Sequence, residues 1–169
     1  MQSVVRVYSR TVSWLNLLGA FISLLMLRLL LAWEYGESGY TKWVGENWFA
    51  NLQFPFAFNL LLPYVSWWMA TGFELAGAVA LLFGLATRFF SLSLIILTIV
   101  AILSAHWPEQ WNSLRELLTG YRIIDENDDE YGNYKLPLIF LMMFLPLMFN
   151  GAGRVSLDYL IRRNLERQG

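Results

Sequence analysis

Two charged side chains stand inside long apolar runs: Arg28 in RLLLAW and Glu74 in FELAGAVALLFGLATRFF. A carboxylate or guanidinium in hydrocarbon costs several kcal/mol unless it is paired or faces a cavity. At about 1.5 Å of rise per residue, Arg28 lies ~10 Å below the outer end of a helix ending near Tyr35. Glu74 lies ~15 Å below the outer end of an antiparallel helix starting near Tyr64. The spacing predicts that the two side chains meet. Such a pair is either a staple that fixes helix register or a polar centre for a quinone headgroup, a proton or a ligand.

The remaining chemistry-bearing residues are few. There are no cysteines and one histidine. Dithiol chemistry, iron–sulfur ligation and bis-histidine haem binding are therefore beyond a single chain, so an enzymatic role would need a bound organic cofactor, a quinone being possible, or a partner. His106, beside Trp107 and Pro108, reads as a wet boundary residue. The acidic turn of Asp125, Glu126, Asp128, Asp129 and Glu130 departs from calcium-loop spacing and reads as a solvated loop. Met69, Met142, Met143 and Met148 are scattered along apolar segments, as packing residues are. No metal site is expected. Arg88 and Asp158 both fall at the ends of apolar runs, where they are expected to form a surface pair tying helices together.

The elements that must position these groups are apolar helices. Hydrophobic residues make up 57% of the 169-residue chain and charged residues 15%, against about 25% charged in soluble domains. Mean hydropathy is +0.45, and the net charge of −1 gives no footprint for nucleic acid. The expected architecture is a single all-α integral membrane domain over 1–169, a four-helix transmembrane bundle. Its spans are expected at 14–35, 64–87, 89–106 and 134–150, with a C-terminal interfacial helix at 156–166. Gly72, Ala76, Gly77, Ala80 and Gly84 place small residues where a neighbouring helix can approach closely. The segment 36–63 is too apolar to float in water, so an interfacial or partly re-entrant course is expected.

Arg6, Arg10, Arg88, Arg154, Arg162, Arg163 and Arg167 fall on one side, against Lys42, Arg115, Arg122 and Lys135 on the other. The positive-inside rule then places both termini in the cytoplasm. Trp33, Trp43, Trp48, Trp67, Trp68, Trp107 and Trp111, with His106, map to the outer side as an aromatic surface. That surface suits interfacial anchoring or the docking of a ligand or partner.

RLLLAW, FELAGAVALLFGLATR and GAGRVSLD together resemble the DoxX family of small four-span bacterial membrane proteins. GENWFA from Gly45, HWPEQWNSL from His106, GYRI from Gly120 and GNYKLPL from Gly132 resemble its HvfX-type branch, associated with maturation of copper-binding, ribosomally made peptides. The resemblance implies an accessory protein of the bacterial inner membrane in a redox or copper-peptide maturation system. Its partners would be the lipid bilayer and a membrane or periplasmic protein or peptide. Two other readings remain: a quinone-linked oxidoreductase subunit, which would make it an enzyme, and a structural scaffold of a membrane complex.

Overall fold

A computed structural model describes residues 2–55, 57–108, 113–120 and 132–168. Helix α1 runs Gln2–Val44, about 65 Å at 1.5 Å per residue. The sequence reading ends this helix at Tyr35; the chain continues it for two and a half further turns. The physical reason is packing. A Cβ on Gly36 would stand 3.6 Å from the Cβ of Ala78, and one on Gly39 only 2.9 Å from Leu75 Cγ. The two glycines let α1 lie directly on the next long helix, α2 (Pro63–Phe83), and on the same stretch Lys42 Nζ donates to Ser38 Oγ at 2.8 Å across one turn. A segment that looks like a polar loop by composition is thus a helix with one small-residue face and one polar face.

Residues 45–62 carry two short 3-10 turns, Phe49–Asn51 and Phe58–Leu60, with Ala57 in the left-handed region at φ 78°. Helix α2, Pro63–Phe83, begins with proline at its first position, where the missing N–H is no loss. It ends at Gly84 with φ 65°, where the N–H of Leu85 returns to Ala80 O at 2.8 Å. Helix α3, Thr87–Ala101, continues as a π turn over Ile102–His106. Helix α4 is short, Leu114–Thr119, and is capped by Ser113. Helix α5 covers Lys135–Asn150 and helix α6 covers Leu157–Glu166, capped by Ser156.

The described residues contain no strand. Helices α1, α2, α3 and α5 pack in a ring, each against the next and α5 back against α1. Leu31, Tyr35, Leu81, Leu94, Phe144 and Leu147 fill its centre. Gly77 of α2 makes room for the Leu94 side chain of α3, since a Cβ there would meet Leu94 Cδ1 at 2.8 Å. Among the described residues, three helices are long and apolar enough to cross a membrane: α1, α2 and α3 with its π turn. Helix α5 is apolar but shorter, 16 residues. Helix α6 leaves Leu160, Ile161 and Leu165 exposed beside Arg162 and Arg163, an arrangement suited to a headgroup layer.

Gly84 is the position where backbone and packing both exclude a side chain. A Cβ there would stand 2.5 Å from Ser156 Cβ and 2.7 Å from Arg28 Cζ. Gly84→Ala is expected to lower stability by about 2 kcal/mol or more, read as a reduced melting temperature in detergent. An unchanged melting temperature would show that the turn has room to move.

Candidate functional site

Arg28 and Glu74 do not meet. Because α1 continues to Val44, Arg28 lies about 24 Å from the end of its helix rather than ~10 Å. It therefore stands at the C-terminal end of α2, about 10 Å along the helix from Glu74. There its Nε donates to Leu81 O at 2.8 Å and its Nη2 to Leu82 O at 3.0 Å. Its Nη1 donates to Ala152 O and Val155 O, each at 2.7 Å. Leu81 and Leu82 belong to the last turn of α2, whose carbonyls lack the usual bond from four residues on and carry the negative end of the dipole; Leu81 O also accepts from Gly84 N at 3.2 Å. The guanidinium is 1% exposed, and its donors are met almost entirely by backbone.

Asp158 and Arg88 also part company. The Asp158 carboxylate accepts from Ala86 N at 2.7 Å and Thr87 N at 2.9 Å, capping α3. Its own N–H donates to Gly84 O at 2.9 Å. Arg88 instead donates to Phe149 O at 3.2 Å. The N-terminus of a helix offers a carboxylate two aligned N–H groups, a better arrangement than a mobile surface arginine. Arg28, Gly84 and Asp158 thus form one knot joining α1, α2, α3 and the entry to α6.

Glu74 is held by Lys42, a residue the sequence reading placed outside the bilayer. Lys42 Nζ stands 3.0 Å and 2.9 Å from the two carboxylate oxygens. With Ser38 Oγ as the third acceptor, all three ammonium protons are engaged. The side chains are 14% and 4% exposed. Nearby, Tyr35 and Thr98 share a hydrogen bond across α1 and α3.

The ion pair sits in the wall of a cavity of about 820 Å³ at the end of the ring remote from Arg28. Helices α1, α2, α3 and α5 line it, and residues 45–61 contribute Trp48, Phe49, Leu52, Phe54 and Phe58. Phe49 stacks edge-on against Trp67 at 5.1 Å between centroids, and Trp48 meets the same indole at 6.0 Å. Trp43 packs edge-on against Trp68 at 5.4 Å. The outer aromatic surface is therefore split: Trp48 and Trp67 line the chamber, while Trp43 and Trp68 stack beside its rim. Trp107 packs instead on Tyr134. Trp33 departs from the group, being one and a half turns from Arg28 and 70% exposed; the longer α1 moves it toward the knot. Trp111 and the acidic turn lie outside the described residues. His106 lines the chamber from the π turn, its Nδ1 bonded to the Asn133 side chain. Among the described residues no three histidine or acidic side chains converge as a metal site requires.

Sequence reasoning missed Lys42, Ser38 and the Tyr35–Thr98 contact. A signal was present: Glu34, Ser38 and Lys42 repeat at four-residue spacing, and Ala32, Gly36 and Gly39 form a small-residue face that extends the helix.

An all-helical membrane bundle with a polar knot at one end and an ion-paired chamber at the other defines the class. The DoxX family profile matches residues 23–107, the stretch from just before Arg28 to just after His106. A Haemophilus influenzae protein described as uncharacterised is 45% identical over 148 residues, 86% of this chain and 87% of its own length. The chain belongs to the DoxX family. No solved structure matches it.

The two centres give opposite double-mutant signatures. Lys42→Met or Glu74→Gln alone is expected to cost about 1–3 kcal/mol, and the double variant to recover at least ~1 kcal/mol of the summed loss. Arg28→Leu with Glu74→Gln is expected to be additive within about 0.5 kcal/mol. Thermal unfolding in detergent checks both, and coupling between Arg28 and Glu74 would contradict the separation.

Proposed function

We propose that this protein is an accessory component of the bacterial inner membrane in a redox or copper-binding peptide maturation system, and that its chamber receives the ligand. The observation that carries this reading is the Lys42–Glu74 pair, buried in the wall of a chamber far larger than packing alone requires. A staple needs no cavity beside it. An amphipathic ligand needs an apolar enclosure with a few fixed polar groups, which here are Lys42, Glu74, Tyr35 and His106. The motifs GENWFA and HWPEQWNSL, in which the resemblance to copper-peptide maturation proteins lies, contribute Gly45, Glu46, Trp48, Phe49 and His106 to the same chamber.

In this reading α5 completes a four-span bundle, both termini lie in the cytoplasm, and the chamber opens toward the periplasm. The basic residues support that orientation: Arg88, Arg154, Arg162 and Arg163 gather at the knot end. The chain supplies no thiol and a single imidazole, so electron transfer would rest on a bound organic cofactor or a partner. A quinone-linked role is the second reading, favoured by the aromatic wall, on which a flat ring can stack.

The Lys42→Met/Glu74→Gln double variant tests the assignment. It is expected to insert and fold near the wild-type level yet fail to restore function to a deletion strain. Full complementation by the folded variant would reduce the pair to a structural tie. A reporter fused after residue 169 that is active only in the periplasm would reverse the orientation.

A further inference from the structure

The charges lining the chamber are unbalanced. Glu34, Glu37, Glu46 and Glu74 face it, against Lys42 and His106. Lys42 is consumed by Glu74, and none of the other three acids forms an ion pair among the described residues. Glu34 is half-buried, and Glu37 and Glu46 are exposed, so three acids without an ion-pair partner line the chamber where a ligand can reach them.

A second observation, independent of the acids, points the same way. Ser66 lines the chamber, is 9% exposed, and its hydroxyl has no hydrogen-bond partner. A buried hydroxyl left unsatisfied costs about 1–3 kcal/mol, which a polar group on a bound molecule, an N–H donor included, would relieve. Around these groups stand Tyr35, Trp48, Phe49 and Trp67, whose ring faces attract cations most strongly when water is excluded. Surplus carboxylates, an orphan hydroxyl and aromatic walls together are complementary to positive charge carried on an apolar body.

Resting on the reading that the chamber is a ligand site, we propose that its ligand is an amphipathic organic cation, an ammonium or guanidinium on an apolar stem. The volume of about 820 Å³ falls within the range of small-molecule sites. The cation would lie among Glu34, Glu37 and Glu46 with its apolar part against the aromatic wall, leaving the Lys42–Glu74 pair intact. The same chemistry is offered by a free amphiphilic amine and by a basic side chain flanked by apolar residues in a peptide.

The full-length protein in lipid nanodiscs tests this by titration with an arylalkyl ammonium cation, an aryl borate anion and neutral decylquinone, read by tryptophan fluorescence. Comparison with the Glu34→Gln/Glu37→Gln/Glu46→Gln variant in identical discs cancels partitioning into lipid. The cation is expected to bind about tenfold or more weakly to the variant, with decylquinone unchanged between the two. A Lys-containing hydrophobic peptide and its norleucine analogue distinguish the sources, since a peptide ligand requires the lysine form to bind more tightly. Glu46→Gln alone, outside any helix, guards against misfolding and is expected to weaken the cation about threefold. Equal cation affinity in wild type and variant, or equally tight borate binding in the wild type, overturns the cation assignment while leaving a neutral ligand site. Failure of every probe to bind the wild type overturns the chamber as a ligand site altogether.

Discussion

The fold depends on the four hydrogen bonds from Arg28 to backbone carbonyls. An arginine fork can satisfy several acceptors at fixed angles, which a lysine cannot. Here it closes the C-terminus of α2 onto the 152–155 segment that follows α5. In a bilayer, apolar side chains gain little by leaving lipid for one another, so association relies on close packing and polar contacts. The Arg28 knot supplies the polar contacts, and Gly84 supplies the space. Asp158 completes it by capping α3 and lies close enough to offset part of the guanidinium charge.

Fixing one end of the ring leaves the other free to separate. Next to the knot, Gly77 gives room for Leu94 of α3; from the level of Glu34 and Tyr35 the ring opens into the chamber, lined also by Trp48, Phe49, Leu52, Phe54 and Phe58. The division has a physical logic. A charge buried among backbone carbonyls is satisfied without any ligand, so Arg28 has no chemistry left to offer. A charge pair in a cavity wall remains approachable, and the polar groups around it can exchange partners.

Much of the fold was legible in the sequence. The runs around Glu74, Leu94 and Phe144 are apolar over helical lengths, and glycine, proline and serine mark their ends, so helices were expected there and helices stand there. The α1 boundary was misjudged because EYGESGYTKW has the composition of a loop, and only its contact with α2 makes it a helix. That single misjudgement moved Arg28, Trp33 and Lys42 relative to α2, and with them the pairing of Glu74. The knot was beyond reach for another reason. Backbone carbonyls carry no sequence signature, so nothing in the residue order marks them as the partners of an arginine.

The register of α1 on α2 is the central claim, and the absence of native cysteine allows it to be measured directly. A Cβ at Gly36 lies 3.6 Å from that of Ala78, within the roughly 3.5–4.5 Å that a disulfide requires. The register that would bring Arg28 to Glu74 instead sets Gly36 opposite Ser66. Gly36→Cys with Ala78→Cys is expected to cross-link on mild oxidation in membranes, while Gly36→Cys with Ser66→Cys stays reduced. Cross-linking of the second pair but not the first would contradict the register, and with it the separation of the knot from the chamber.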